Sequence, residues 1–116
     1  MQYFDAENYK WIEGEEYKKK VFLSELKEKI DLVEDVVINS FGNIPSHEHE
    51  FTDELFYILD GKGKIRLKNR DDINIKDGDL IKISRKEAHS FINTEKRSLR
   101  MLCFKINHKK GDSYLR

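Results

Sequence analysis

The chain holds few of the residues that constrain a fold by chemistry alone, with one cysteine, Cys103, and one proline, Pro45. A single thiol excludes an intrachain disulfide and fits a reducing, cytoplasmic setting. Cys103 lies within the apolar run 99–106, so a buried, inert thiol is the expected role. No apolar stretch approaches the roughly 20 residues of a membrane helix, and the first five residues lack the charged and apolar regions of a signal peptide. Charge of one sign is also missing: 22 basic residues face 22 acidic ones, for a formal net charge of zero. That balance, with no clustered basic stripe, speaks against nucleic acid as a partner, and no membrane partner is expected either. The run Lys18-Lys19-Lys20 reads as the solvated end of an element. No repeat, low-complexity stretch or flexible linker interrupts residues 1–116, which are expected to form one domain with a single core.

What the chain does have is alternation. Lys64-Ile65-Arg66-Leu67-Lys68 alternates cleanly, Asn69-Arg70-Asp71-Asp72 supplies turn residues, and Ile73-Asn74-Ile75 resumes the pattern. Asp77-Gly78-Asp79 makes a second turn before Leu80-Ile81-Lys82-Ile83. Short strands at this spacing predict an all-β sandwich or barrel, with Ile65, Leu67, Ile73, Ile75, Ile81 and Ile83 facing the core. The first 32 residues are less regular. We expect a strand over 17–23, a turn or helical piece over 24–29, and a strand over 33–38. The aromatic side chains Tyr3, Phe4, Tyr9 and Trp11 are expected to pack across the barrel or against a second subunit.

Chemistry concentrates between Gly42 and Asn93. On a strand, His47 and His49 share a face while Glu48 points away. After Glu50-Phe51-Thr52-Asp53, a turn-sized gap, Glu54 opens the apolar run Leu55-Phe56-Tyr57-Ile58-Leu59, and a hairpin would bring it back beside the two histidines. His89 follows 35 residues after Glu54 and must arrive by tertiary folding. A His-x-His pair in an acidic stretch is also what an ordinary solvated loop offers. Glu54 separates the two readings, because an inward carboxylate at the head of an apolar strand needs a partner. Three imidazoles and a carboxylate form a borderline donor set suited to one divalent transition metal, Fe, Mn, Ni, Cu or Zn, with positions left for water or substrate. With Glu54 inward, Phe56 and Ile58 follow it as an apolar pocket wall, while Leu55, Tyr57 and Leu59 face outward and need covering. Glu50, Asp53 and Lys86 are expected as exposed loop charges near the mouth.

These residues resemble the two-motif core of the cupin superfamily. The family's first motif is matched by Gly42, His47, His49, Glu54 and Gly61, with four residues rather than the usual five between Gly42 and His47. The second is matched by Gly78, His89 and Asn93, but Ser84 stands in place of the family's proline and Lys86 in place of its second glycine. The resemblance implies a jelly-roll barrel of six to ten strands, its motif-bearing core at about 33–106 and an N-terminal arm at 1–32. It implies His47, His49, Glu54 and His89 as metal ligands, a small organic ligand in the barrel, and a homodimer that buries the outer sheet face. Small cupins with this ligand set include dioxygenases, isomerases and lyases. The expectation drawn is a metal-dependent enzyme, a dioxygenase or related oxidoreductase, with a non-catalytic metal or small-molecule binding module as the alternative. The loop 84–86 is expected to take a conformation open to ordinary residues, since a lysine at positive φ would be strained.

Overall fold

The computed structural model describes residues 1–24 and 26–116. Its elements in chain order are β1 (Gln2–Phe4), a 3-10 turn (Ala6–Asn8), β2 (Ile12–Glu13), β3 (Lys18–Lys19), β4 (Ile30–Ile38), β5 (Asn43–Glu48), β6 (Asp53–Asp60), β7 (Lys62–Leu67), β8 (Ile73–Lys76), β9 (Leu80–Ile83), β10 (His89–Asn93), β11 (Leu99–Ile106) and β12 (Tyr114–Leu115). Two five-stranded sheets carry the fold, one in the order β1-β9-β6-β11-β4 and the other β12-β5-β10-β7-β8, while β2 and β3 pair only with each other. Among the described residues no helix is long and apolar enough to cross a membrane.

The alternation in the sequence becomes the division between inside and outside. Ile65, Leu67, Ile75, Ile81 and Ile83 are buried between the sheets with Ile38, Phe56, Ile58, Phe91 and Met101, and Ile73 packs against them from the rim. Strand β7 spends its other face on charge, with Lys64 and Arg66, so one face is removed from water and the other remains solvated. Gly61 makes the bend from β6 of the first sheet to β7 of the second. Its φ is +100°, and a Cβ there would sit 2.8 Å from the carbonyl oxygen of Ser98. An alanine would be strained in the backbone and crowded in space.

Several expectations about the chain's course are corrected. Strands β5 and β6 do not form a hairpin: β5 pairs with β10 and β12, and β6 pairs with β9 and β11. The segment between them crosses from one sheet to the other, so Glu54 approaches the histidines from the opposite wall. The strand expected over 17–23 is reduced to Lys18–Lys19, in a two-residue ladder with Ile12–Glu13. Lys18 and Lys20 instead place their ammonium groups 4.6 and 4.5 Å from the centre of the Trp11 ring, a cation–π arrangement. The helical reading of 24–29 includes Glu25, which lies outside the described residues; its described neighbours form no helix.

The arm is held by one buried carboxylate. Asp79 is fully buried and accepts hydrogen bonds from the Tyr3 hydroxyl (2.7 Å), the Ala6 amide (2.9 Å), and the Lys76 amide (3.0 Å) and ammonium (3.1 Å). Burial, then the bond to Asp79, pushes the Tyr3 phenol up to about 12. Strand β1 thereby extends the first sheet at β9, and an aromatic chain Phe4, Tyr9, Phe22, Tyr57 runs from the arm onto the outer face of β6. Leu55 is only 5% exposed. The chain thus covers for itself part of the face that the sequence left for a partner.

Candidate metal centre

Both sheets contribute to one cluster. His47, in β5, and His49, just past its end, come from the second sheet, as does His89 at the head of β10; Glu54 comes from β6 of the first. The β5–β10 register sets His47 directly opposite His89. One nitrogen or oxygen from each of the four residues lies within 4.8 Å of every other. Metal bonds of about 2.0–2.2 Å reach across about 4 Å, so a slight contraction brings all four onto one ion. His49, Glu54 and His89 are buried, whereas His47 is half-exposed and marks the side on which the cluster meets solvent.

The backbone fixes which nitrogen of each ring faces inward. The Nδ1 atoms of His47 and His89 lie 2.8 and 2.9 Å from the carbonyl oxygens of Pro45 and Glu87, and Nδ1 of His49 contacts the carbonyl of Asp112. A carbonyl only accepts, so each Nδ1 carries the proton and each Nε2 keeps a lone pair. Those lone pairs point at Glu54. His49 Nε2 and His89 Nε2 lie 3.0 and 3.3 Å from Glu54 Oε1, yet none of these three buried atoms makes a hydrogen bond of acceptable geometry. Orphaned acceptors converging in a buried space repel one another unless a proton or a cation lies between them. The donor set therefore fits a divalent cation.

The charges follow the same geometry. Burial would raise the Glu54 carboxyl, but where protons rather than a cation lie between the groups, the imidazoles of His49 and His89 donate to it, outweigh burial and hold it well below the usual carboxylate range. The Glu54 carboxylate in turn raises His49 against the opposing effect of burial, while burial lowers His47.

Three contributors were not found from sequence. Cys103 is buried with its Sγ 3.4 Å from Glu54 Oε2, where the thiol can donate and leave Oε1 for the cluster. Burial, then the Glu54 charge, pushes that thiol far above its ordinary value, consistent with an inert group. Phe91 lies with its ring centre 6.1 Å from that of His89 and 4.7 Å from that of Phe56. The two phenylalanines floor the site, and Ile58, wholly buried two residues further along β6, lies within the core cluster. Asp112 is the third. Its carboxylate accepts from the amides of Glu50 (2.8 Å), Phe51 (2.9 Å) and Thr52 (3.1 Å) and from the Thr52 hydroxyl (2.9 Å). Burial raises this carboxyl, but those donors outweigh it and hold it below its usual range. Cys103 sits in an apolar run and Asp112 in a short Lys-Lys-Gly-Asp-Ser stretch, so neither carried a signal beyond local burial or a turn.

The second-motif loop departs from expectation. Lys86 has φ +65°. The Glu87 amide donates to the Ser84 carbonyl (3.2 Å), closing a turn whose third residue here has positive φ, and the Lys86 amide donates to the His49 carbonyl (2.5 Å). The loop keeps the backbone shape a glycine would take, because that shape ties it to His49. Of the other loop charges, Asp53 accepts from the Arg85 amide (2.7 Å), while Glu50 is exposed. Asn93 is the buried knot of the same motif: its amide donates to the carbonyls of Ile38, Asn39 and Arg97, and its oxygen accepts from the Glu95 amide.

A separate hollow lies away from the cluster. A depression of about 780 Å³, lined by Ser46, Glu48, Arg66, Lys68, Lys86 and Ser90 among others, lies on the outer face of β5, β10 and β7. Its residues alternate with His47 and His89 along the same strands, so the sheet itself separates it from the ligand atoms.

A family model described as Cupin domain matches residues 36–105. The chain is a cupin. An uncharacterized protein of Methanocaldococcus jannaschii is 37% identical to it over 57 residues, and the matched segment covers 49% of this cupin and 45% of that relative. This chain thus spans less than half the length of the curated relative it matches. Among solved structures, a predicted oxalate decarboxylase from Thermotoga maritima superposes with a TM-score of 0.63 at 30% identity, over 69% of each chain. A protein with a double-stranded β-helix domain from Klebsiella pneumoniae covers 97% of this cupin and 94% of its own chain, with a TM-score of 0.67 at 18% identity. At that identity the second likeness speaks for the fold alone.

Proposed function

We propose that this cupin is a metal-dependent enzyme that acts on a small organic substrate, with His47, His49, Glu54 and His89 holding one divalent transition metal. The carrying observation is the convergence of three buried, unpaired acceptor atoms, His49 Nε2, His89 Nε2 and Glu54 Oε1, on one point. Four protein donors leave positions free on an ion of coordination number five or six. A bound metal there supplies Lewis acidity and, if it is Fe, Mn or Cu, redox chemistry.

The chain's own residues set what can reach it. His47 lies on the open side, so substrate approaches past that imidazole. Phe56 and Phe91 close the floor, exclude water and favour an apolar or compact ligand. Because Ile58, Ile65 and Met101 fill the space between the sheets, the substrate is small. A dioxygenase or related oxidoreductase is the reaction class proposed. The likeness to a predicted oxalate decarboxylase adds small dicarboxylates to the substrates to be tried. We place the protein in the cytoplasm as a homodimer.

The second reading, a non-catalytic metal or small-molecule binding module, draws on one observation. No acid–base pair beyond the four ligands faces the cluster among the described residues, and Cys103 is held neutral. A screen of diketones, flavonols, thiols and dicarboxylates that follows oxygen uptake and, for the dicarboxylates, carbon dioxide release, with the protein loaded in turn with Fe, Mn and Cu, separates the two. Oxygen uptake abolished by Glu54→Ala supports the oxidoreductase. Binding with no turnover across every metal and substrate supports the module.

A further inference from the structure

The matched cupin region ends at residue 105, yet the chain beyond it returns to the metal centre. Strand β12 pairs with β5 so that Leu115 lies opposite His47 and Tyr114 opposite Glu48, and the Arg116 amide donates to the Ser46 carbonyl (2.9 Å). At the head of this return stands Asp112, 6% exposed. Its two ends do different things. The carboxylate gathers the amides of three consecutive residues, Glu50, Phe51 and Thr52, and the buried Thr52 hydroxyl. Its carbonyl takes the Nδ1 proton of His49.

We propose that Asp112 is a positioning residue of the metal centre, the carboxylate locking the crossover between the two sheets while the carbonyl sets the tautomer and aim of His49. Residues 50–53 are the covalent link between His49 and Glu54, ligands that rise from facing sheets, and the carboxylate holds the first three of them. Locking this link fixes the spacing of these two donors. Pro45 and Glu87, the other two residues whose carbonyls hold a ligand ring, lie two residues before their own histidines. For His49 that role falls to a residue 63 positions away, so the terminal segment completes the site. Partners that hold the outer nitrogen of a metal-binding histidine typically change metal affinity about 10–100-fold when removed.

This inference rests on the metal reading, and the test separates the two. In metal-free protein, nitrogen-15 NMR of the histidine rings reads the tautomer of His49 without any ion. At a pH high enough for the imidazole to be neutral, the wild type is expected to show Nδ1–H at His49, and Asp112→Ala, which keeps the carbonyl but frees the segment that carries it, a mixture of tautomers. Competition of Co²⁺ against a chromogenic chelator then measures affinity, with a fall of about 10-fold or more expected in Asp112→Ala and a smaller fall in Asp112→Asn, which keeps the shape and one acceptor oxygen. Asp79→Ala is the control for structural loss alone, since Asp79 is also a buried, multiply bonded carboxylate but anchors the opposite end of the chain. If Asp112→Ala does not fold, the Asn variant carries the comparison. A His49 tautomer unchanged in the variant, or a Co²⁺ affinity that falls no further than in Asp79→Ala, overturns the proposal. Absence of Co²⁺ binding by the wild type would instead overturn the metal reading and leave the tautomer measurement standing.

Discussion

Lys86 shows how a single residue can carry a cost that the surrounding hydrogen bonds impose. Its φ of +65° is one a side chain with Cβ adopts at about 1 kcal/mol or more, and the bond to the His49 carbonyl accompanies that shape. Glycine removes that strain, although it adds freedom to the unfolded chain. Lys86→Gly is therefore expected to stabilise the protein by about 0.5–1 kcal/mol, a rise of a few degrees in the thermal midpoint. A lower midpoint would show that the lysine is at ease there. Glu54 and His49 make a second, pH-dependent case. The carboxylate, held below its ordinary 4.5, contributes stability above that value and loses it as pH falls through the lowered one. The imidazole, held above its ordinary 6.5, contributes below 6.5 and loses it as pH rises through the raised value. In metal-free protein Glu54→Gln should thus be most destabilising near pH 6 and cost progressively less towards about pH 9, where the unpaired carboxylate is itself unfavourable. Denaturant unfolding at several pH values after chelation checks this, and a cost that grows with pH would contradict it.

At the scale of elements, legibility followed the source of each element's stability. Strands β7 to β9 were plain in the sequence because their alternation is the cause of their burial, and Ile65, Ile75, Ile81 and Ile83 are all in the core. The arm was not legible, since β1 and the β2–β3 pair depend on contacts rather than on pattern. Phe22 is placed by Tyr57, and β1 by Asp79, which in the sequence looked like one half of a turn. The β5–β6 connection failed for a related reason: a four-residue gap fits a hairpin as well as a crossover, and the crossover that forms is held by Asp112, 58 residues beyond Glu54. Asp79→Ala leaves the Ala6 and Lys76 amides and the Tyr3 hydroxyl without their acceptor and should cost about 3 kcal/mol. Hydrogen exchange should show the loss first in residues 2–6, with the β5–β10 ladder retaining its protection. Uniform loss across both sheets would mean that the arm is not a separable layer.

For the whole molecule, the remaining apolar surface is the argument for a second copy. Val33 and Val37 of the edge strand β4 are 56% and 53% exposed, and Val33 lies beside Phe104, which lies beside Leu55 in the same row. With Leu59, they continue the face that the arm covers only in part, broken by the Asp35–Arg100 ion pair, and adjoining exposed apolar side chains of this kind mark interaction surfaces. Light scattering is expected to give a mass of two chains at micromolar concentration, and Val33→Asp with Val37→Asp to halve it. A wild-type mass of 13.9 kDa at every concentration would refute the dimer. The meeting of His47, His49, Glu54 and His89 was legible at this scale because motif spacing survives whatever the connecting topology does. Their support was not, since Asp112, Cys103 and Phe91 reach the centre only through the closed fold. The most direct test of the account is elemental analysis of the untagged protein beside single alanine variants of His47, His49, Glu54 and His89. The account predicts about one transition-metal ion per chain in the wild type and a sharp loss in each variant, with the β-rich circular dichroism preserved. Full stoichiometry retained in His89→Ala, or no metal in a wild type refolded with Fe, Mn, Ni, Cu or Zn, would contradict it.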